Sequence, residues 1–297
     1  MPWALIILIL DAGMLEPRSG AWVIEPDTVN NTGAYKEENM ADFRNSNVRV
    51  APGAHAGADI DAGLRAYMLR VYNLMALGLG ITGLAAYATA MFATTNDPAA
   101  AVATLGNGKM LTSLGTLLYG SPLKWVVMLA PLGMVFFLSA RIEKMSVSAA
   151  QTTFWVFAGL MGLSLSSIFL VYTGASITQT FFVTAASFGA LSLYGYTTKK
   201  NLSAMGSFLT MGLFGLIIAM VVNIFLQSPM MQFVISGLGV LIFAGLTAYD
   251  TQQIKSMYYE GDTDATAGRK AIMGALRLYL DFINLFMFLL HFLGNRE

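Results

Sequence analysis

Two carboxylates stand in stretches of this sequence otherwise apolar enough to enter a bilayer: Asp250 in "GLTAYDTQQIK" and Asp281 in "ALRLYLDFINLFMFLLHFLG". A carboxylate inside hydrocarbon costs at least a few kcal/mol, so such residues are rare and mark ion or proton routes. Two of them close together in low dielectric cannot easily both ionise, so a neighbouring pair is expected to titrate as one unit. A cation at the same depth opposes that. Arg277 is one candidate, a helical turn before Asp281, and Arg141 in "FFLSARIEK" is another. The ordinary alternative for Arg141 is a positive-inside anchor.

Arg277, Asp281, Asn284 and His291 follow one another at +4, +3 and +7. Those increments keep to one face of a helix, so the polar side chains form a single stripe. Lipid is the wrong environment for such a stripe, which is expected to face the interior of a helix bundle. It lines a polar pathway or latch; the plainer alternative is a set of satisfied interhelical hydrogen bonds. Lys255 lies five residues past Asp250, about 7 Å along a helix, and Arg277 lies about 6 Å before Asp281. If both cations snorkel to one interface, the two carboxylates reach similar depth. Roughly 24 Å of apolar helix then remains after Arg277, a short crossing better placed at the bundle centre than against lipid.

The elements that position these residues follow from composition. The chain has 297 residues, 56% hydrophobic and 11% charged, with a mean hydropathy of +0.62. A soluble domain is nearer 25% charged. Seven segments reach the roughly 20 apolar residues that a crossing needs: 71–93, 123–140, 151–172, 178–198, 206–226, 230–250 and 272–293. The chain is therefore an all-α integral membrane protein, with its transmembrane domain over 71–294. Glycine and alanine recur at close spacing in most spans, as in "GLMGLSLSS" and "MGLFGLIIA", and let backbones approach. The net charge is zero, there is no cysteine, and the two histidines, His55 and His291, lie far apart. Nucleic acid, disulfide or iron–sulfur chemistry, a fixed metal site and other cofactors are not expected.

Basic residues orient the bundle. Arg65, Arg70, Arg141, Lys144, Lys199, Lys200, Lys255, Arg269 and Lys270 gather on one side, against Lys109, Lys124 and Arg296 on the other. The N-terminus is expected in the cytoplasm and the C-terminus outside. The opening "MPWALIILILDAG" has too short an apolar run to span and no positive leader region. Codons for "KEEN" before Met40 can spell a purine-rich ribosome-binding site. Translation is expected to start at Met40, which makes 1–39 a non-native extension, and 40–70 is expected to be a mobile cytoplasmic tail.

"AGLTAYDTQQIK" followed by "ALRLYLDFINLFMFLLHFLG", with "GLSLSSIFLVYTGASI" and "FGALSLYGYTTKKNLS" earlier in the chain, resembles the Bax inhibitor-1 family, in its bacterial members, from about Leu64 to Gly294. The resemblance implies six helices surrounding a central C-terminal helix and a pH-sensitive calcium leak channel in the bacterial inner membrane. It gives Asp250 and Asp281 the role of a proton-sharing pair and Arg141 that of a latch onto Asp250, with calcium passing transiently rather than being fixed. Three departures stand out: the second span carries no acidic residue, Arg277 adds a cation beside the pair, and His291 stands where relatives often have arginine. The resemblance also carries an alternative, an interaction protein that modulates a membrane-bound ATP-dependent protease through its N-terminal tail. An enzyme is not expected. "YD" at Tyr249–Asp250 fits intramembrane aspartyl proteases, but Asp281 follows "LYL" rather than Gly-x-Gly, and no Pro-Ala-Leu triplet occurs. The seventh segment, 272–293, has no lysine for a retinal Schiff base.

Overall fold

The structure is a computed structural model that describes residues 52–295. The expected start at Met40 and the extension 1–39 lie outside the described residues. Among the described residues seven helices are long and apolar enough to cross a membrane: α1 (Pro52–Ala93), α2 (Leu123–Arg141), α3 (Val147–Leu165), α4 (Gly174–Thr197), α5 (Ser203–Leu226), α6 (Pro229–Ser256) and α7 (Asp264–Leu293). All seven expected spans are present.

Every residue of α7 from Ala271 to Leu290 is buried, about 30 Å of helix enclosed on all sides. A helix apolar nearly all round has no face to give to water and takes the centre. It packs against α6, α1, α4 and α3, while α2 and α5 lie further out, chiefly against α3 and α6. Two glycines set how closely the surrounding helices meet. A Cβ on Gly162 of α3 would collide with the Thr82 carbonyl oxygen of α1, and one on Gly195 of α4 with that of Ala248 on α6. Gly159 and Gly215, in the same small-residue stretches, face open space.

Several boundaries differ from the sequence reading. The helix of α1 reaches back to Pro52, so 52–70, expected as tail, is helical from that point. Proline suits a first helical turn, and the alanines that follow are the strongest helix formers. The segment read as one span over 151–172 breaks after Leu165 and resumes as a short helix, Ile168–Val171. Ser166 and Ser167 donate to the Leu163 and Ser164 carbonyls at 2.6 and 3.3 Å, competing with the helical ladder. α7 begins at Asp264, where the Thr263 side chain accepts from the Thr266 backbone N–H. That polar first turn hides it from a hydropathy count.

The long connection after α1 carries a small antiparallel sheet, β1 (Thr94–Thr95), β2 (Ala103–Thr104) and β3 (Met110–Leu111), in the order β1-β3-β2. It closes one end of the bundle. Lys109 Nζ donates to the Phe169 carbonyl at 2.6 Å and Asn107 Nδ2 to that of Leu170 at 2.8 Å. At the opposite end the basic residues come together. Arg269 donates to the Met145 carbonyl at 3.4 Å, Lys255 to that of Tyr196 at 2.8 Å, and Lys270 meets Asp262 at 2.6 Å.

Candidate functional site

Near the last turns of α6 the sequence "LTAYD" brings Leu246, Thr247, Ala248, Tyr249 and Asp250 successively into the interior. No helical stripe could bury five consecutive residues against one neighbour. α6 achieves it because α4, α5 and α7 all pack on it. Gly206 of α5 leaves the space that the Tyr249 ring fills, and Gly195 brings α4 against Ala248. Asp250 is thereby held toward the bundle centre.

There it meets α7. Arg277 Nη1 lies 3.4 Å from Asp250 Oδ1, and the two side chains are 6% and 2% exposed. Asp281, one turn beyond Arg277 on the same face, is fully buried, and Asn284 is buried beside it in the stripe. Asn284 donates Nδ2 to the Leu280 carbonyl at 2.8 Å. Among the described residues, Asp250, Arg277 and Asp281 are the only charged side chains that are buried. Arg277 therefore does not snorkel to an interface, as its position four residues before Asp281 had suggested. A carboxylate within reach on the next helix satisfies its guanidinium in place, and only Lys255 lies at the bundle end.

The charge count of this cluster decides its chemistry. Two carboxylates and one guanidinium leave one negative charge in excess. An unbalanced charge away from water costs several kcal/mol, which one proton or one further cation would relieve.

The other expected residues are placed differently. Arg141 is exposed at the last turn of α2, and α2 packs chiefly on α3. The guanidinium on Asp250 is that of Arg277. His291 lies at the far end of the stripe, half-buried, with Nδ1 2.7 Å from the Met287 carbonyl and its ring against Tyr172. It is about 15 Å along α7 from Asp281 and belongs to the end of the bundle rather than to the cluster.

Sequence reasoning passed over the hydroxyl groups around the charges. Tyr72 donates to Ser192 at 2.7 Å, Ser192 to Thr251 at 2.9 Å, and Thr251 to the Thr247 carbonyl at 2.8 Å, a chain linking α1, α4 and α6 beside Asp250. On the other side of α7, the Tyr279 hydroxyl meets Thr82 Oγ1 at 2.7 Å, and Thr82 in turn reaches the Ala158 carbonyl at 2.9 Å. The i, i+4 repeat of Thr247 and Thr251 was the available signal for the first. The second joins residues 197 positions apart and has no local signature.

Comparison with known proteins agrees with this architecture. A family model described as "Inhibitor of apoptosis-promoting Bax1" matches residues 64–297. A protein of Rickettsia prowazekii is 48% identical over 237 residues, 80% of this chain and 92% of its own length. One of Caulobacter vibrioides is 46% identical over 260 residues, 87% of this chain and all of its own. The inner membrane protein YbhL of Escherichia coli K12 is 44% identical over 238 residues, 80% of this chain and 94% of that protein.

Proposed function

The chain belongs to the Bax inhibitor-1 family of membrane proteins, and on that premise we propose that it is a proton-gated leak for calcium or another cation, with its basic end in the cytoplasm. The observation that carries the reading is the buried Asp250–Arg277–Asp281 cluster where α6 meets the central helix. A group that either a proton or a cation would relieve is a point at which the two compete. With both carboxylates ionised, Arg277 ties α7 to α6 through Asp250 and the route along α7 is closed. A proton on Asp250 removes most of the attraction that holds the helices in that arrangement. A cation then passes the stripe of Asp281 and Asn284, with the Asp281 carboxylate as a transient stop rather than a resident site. Arg277 takes the closing role that the resemblance gives to Arg141. Arg141, on the basic end, is left as a second closing cation that would engage only if α2 moves.

The test is calcium entry into liposomes containing the purified chain, from mildly acidic to mildly alkaline pH. Flux should rise with acid, and Asp250→Asn and Asp281→Asn should lose the pH response. Arg277→Gln should leak at alkaline pH, where Arg141→Ala should stay closed. Flux no greater than that of empty liposomes at every pH, from folded protein, would leave the cluster a structural lock. It would turn attention to association with a membrane-bound protease.

A further inference from the structure

A second feature of the bundle stands outside the charge cluster. Between α1 and α4 a cleft of about 630 Å³ opens sideways. Its walls are apolar, with Met68, Met75 and Phe188 inside and the exposed Leu69 and Leu193 on its rim. Arg65 and Tyr196 stand at its basic end. α1 and α4 run in opposite directions, so the cleft extends from Arg65 toward Met75, about 15 Å along the helix. That is one leaflet of a bilayer with about 30 Å of hydrocarbon.

Three observations say what fits. Among the described residues no carboxylate lines the cleft, and its end carries Arg65; Lys255, outside the lining, sits against the Tyr196 ring with its ammonium 5.0 Å from the ring centre. The polar atoms on its floor, Tyr72 and Ser192, are already joined to Thr251, so the floor asks its occupant for no hydrogen bond. Gly189 lines the wall, and a Cβ there would meet nothing within 4 Å. The depression is space the sequence leaves open, not a gap between misfitting side chains.

We propose that this cleft binds one anionic phospholipid from the leaflet on the basic side, an acyl chain lying along Met68, Met75 and Phe188 and the phosphate on Arg65 with Lys255 beside it. The assignment does not depend on ion conduction.

Native mass spectrometry of the full-length chain in mild detergent, with phosphatidylglycerol and phosphatidylcholine of identical chains in equal amounts, tests it. One phosphatidylglycerol should be retained in preference. Arg65→Gln should lower its retention about fivefold, the worth of one basic side chain near an anionic lipid, and Arg65→Lys should restore it. Gly189→Leu, which fills the cleft, should lower retention of both lipids, and Gly189→Ala much less. Arg65 is exposed, so its variants fold whatever becomes of Gly189. Equal retention of the two lipids by the unaltered chain would overturn the proposal. So would unchanged phosphatidylglycerol retention in Arg65→Gln, or displacement by free glycerol phosphate, which would identify a soluble phosphate as the occupant.

Discussion

Asp250 and Asp281 were visible in the sequence because ionisable groups stand out against hydrocarbon, and Arg277 because a helical turn separates it from Asp281. What spacing could not show was which cation reaches Asp250. That depends on where the end of α2 lies relative to α6, a matter of packing between residues more than a hundred positions apart, and it sets Arg141 outside the cluster. The charge count makes a quantitative distinction. Arg277→Met leaves two carboxylates buried without a guanidinium, whereas Asp250→Leu leaves Arg277 with Asp281 one turn away. Near neutral pH the first variant should lose about 3–5 kcal/mol, the range for breaking a buried pair, and the second distinctly less. The double variant should recover part of the loss. Thermal unfolding in detergent, read as a double-mutant cycle, measures all three, and equal losses for the two single variants would contradict the count.

At the scale of elements, the spans were legible as runs of apolar residues, but their ends and irregularities were not. The capped first turn of α7 is polar, and two-residue strands show no period, so neither registers in a hydropathy window. Glycines looked alike in sequence, yet they differ in what they touch. Gly162→Leu should prevent the close meeting of α3 with α1 and lower the yield of monodisperse protein sharply. Gly159→Leu, three residues away and facing open space, should stay within about 0.5 kcal/mol of the parent; a thermal shift assay distinguishes them. The break in α3 has its own pH signature. The Tyr119 hydroxyl, 2.8 Å from Ser166 at the break, has its pKa raised above 10.0 by burial, with the Ser166 hydrogen bond acting the other way. The folded chain therefore holds that proton more tightly than the unfolded chain does. The stability Tyr119 contributes is complete below pH 10.0 and is lost as pH rises through the folded value. Tyr119→Phe should flatten the fall in melting temperature above pH 10.0 relative to the parent.

For the whole molecule, the resemblance and the basic-residue bias point to one architecture and one orientation, and they have different standing. Seven helices, of which the C-terminal one is buried by the others, are a property of the fold, while the side on which the basic end lies follows from charge alone. The absence of cysteine makes the orientation directly measurable. Ala99→Cys, in the connection after α1, should react with an impermeant maleimide added to intact cells, and Glu260→Cys, between α6 and α7, should not until the membrane is opened. Both positions are exposed. The reverse pattern would invert the bundle and with it the direction of any acid-driven leak. The enclosed position of α7 also has a consequence for how the protein is made. The ribosome delivers the axle after the wheel: α1 to α6 leave it before the helix they are built around exists. Until Ala271–Leu290 arrives, the faces of α1, α3, α4 and α6 that will touch it have only lipid or one another, and Asp250 has no guanidinium. A nascent chain stopped at the loop before α7 is thus a set of spans without a shared interior, open to the quality-control proteases of the membrane, and maturation is a single late event at the C-terminus.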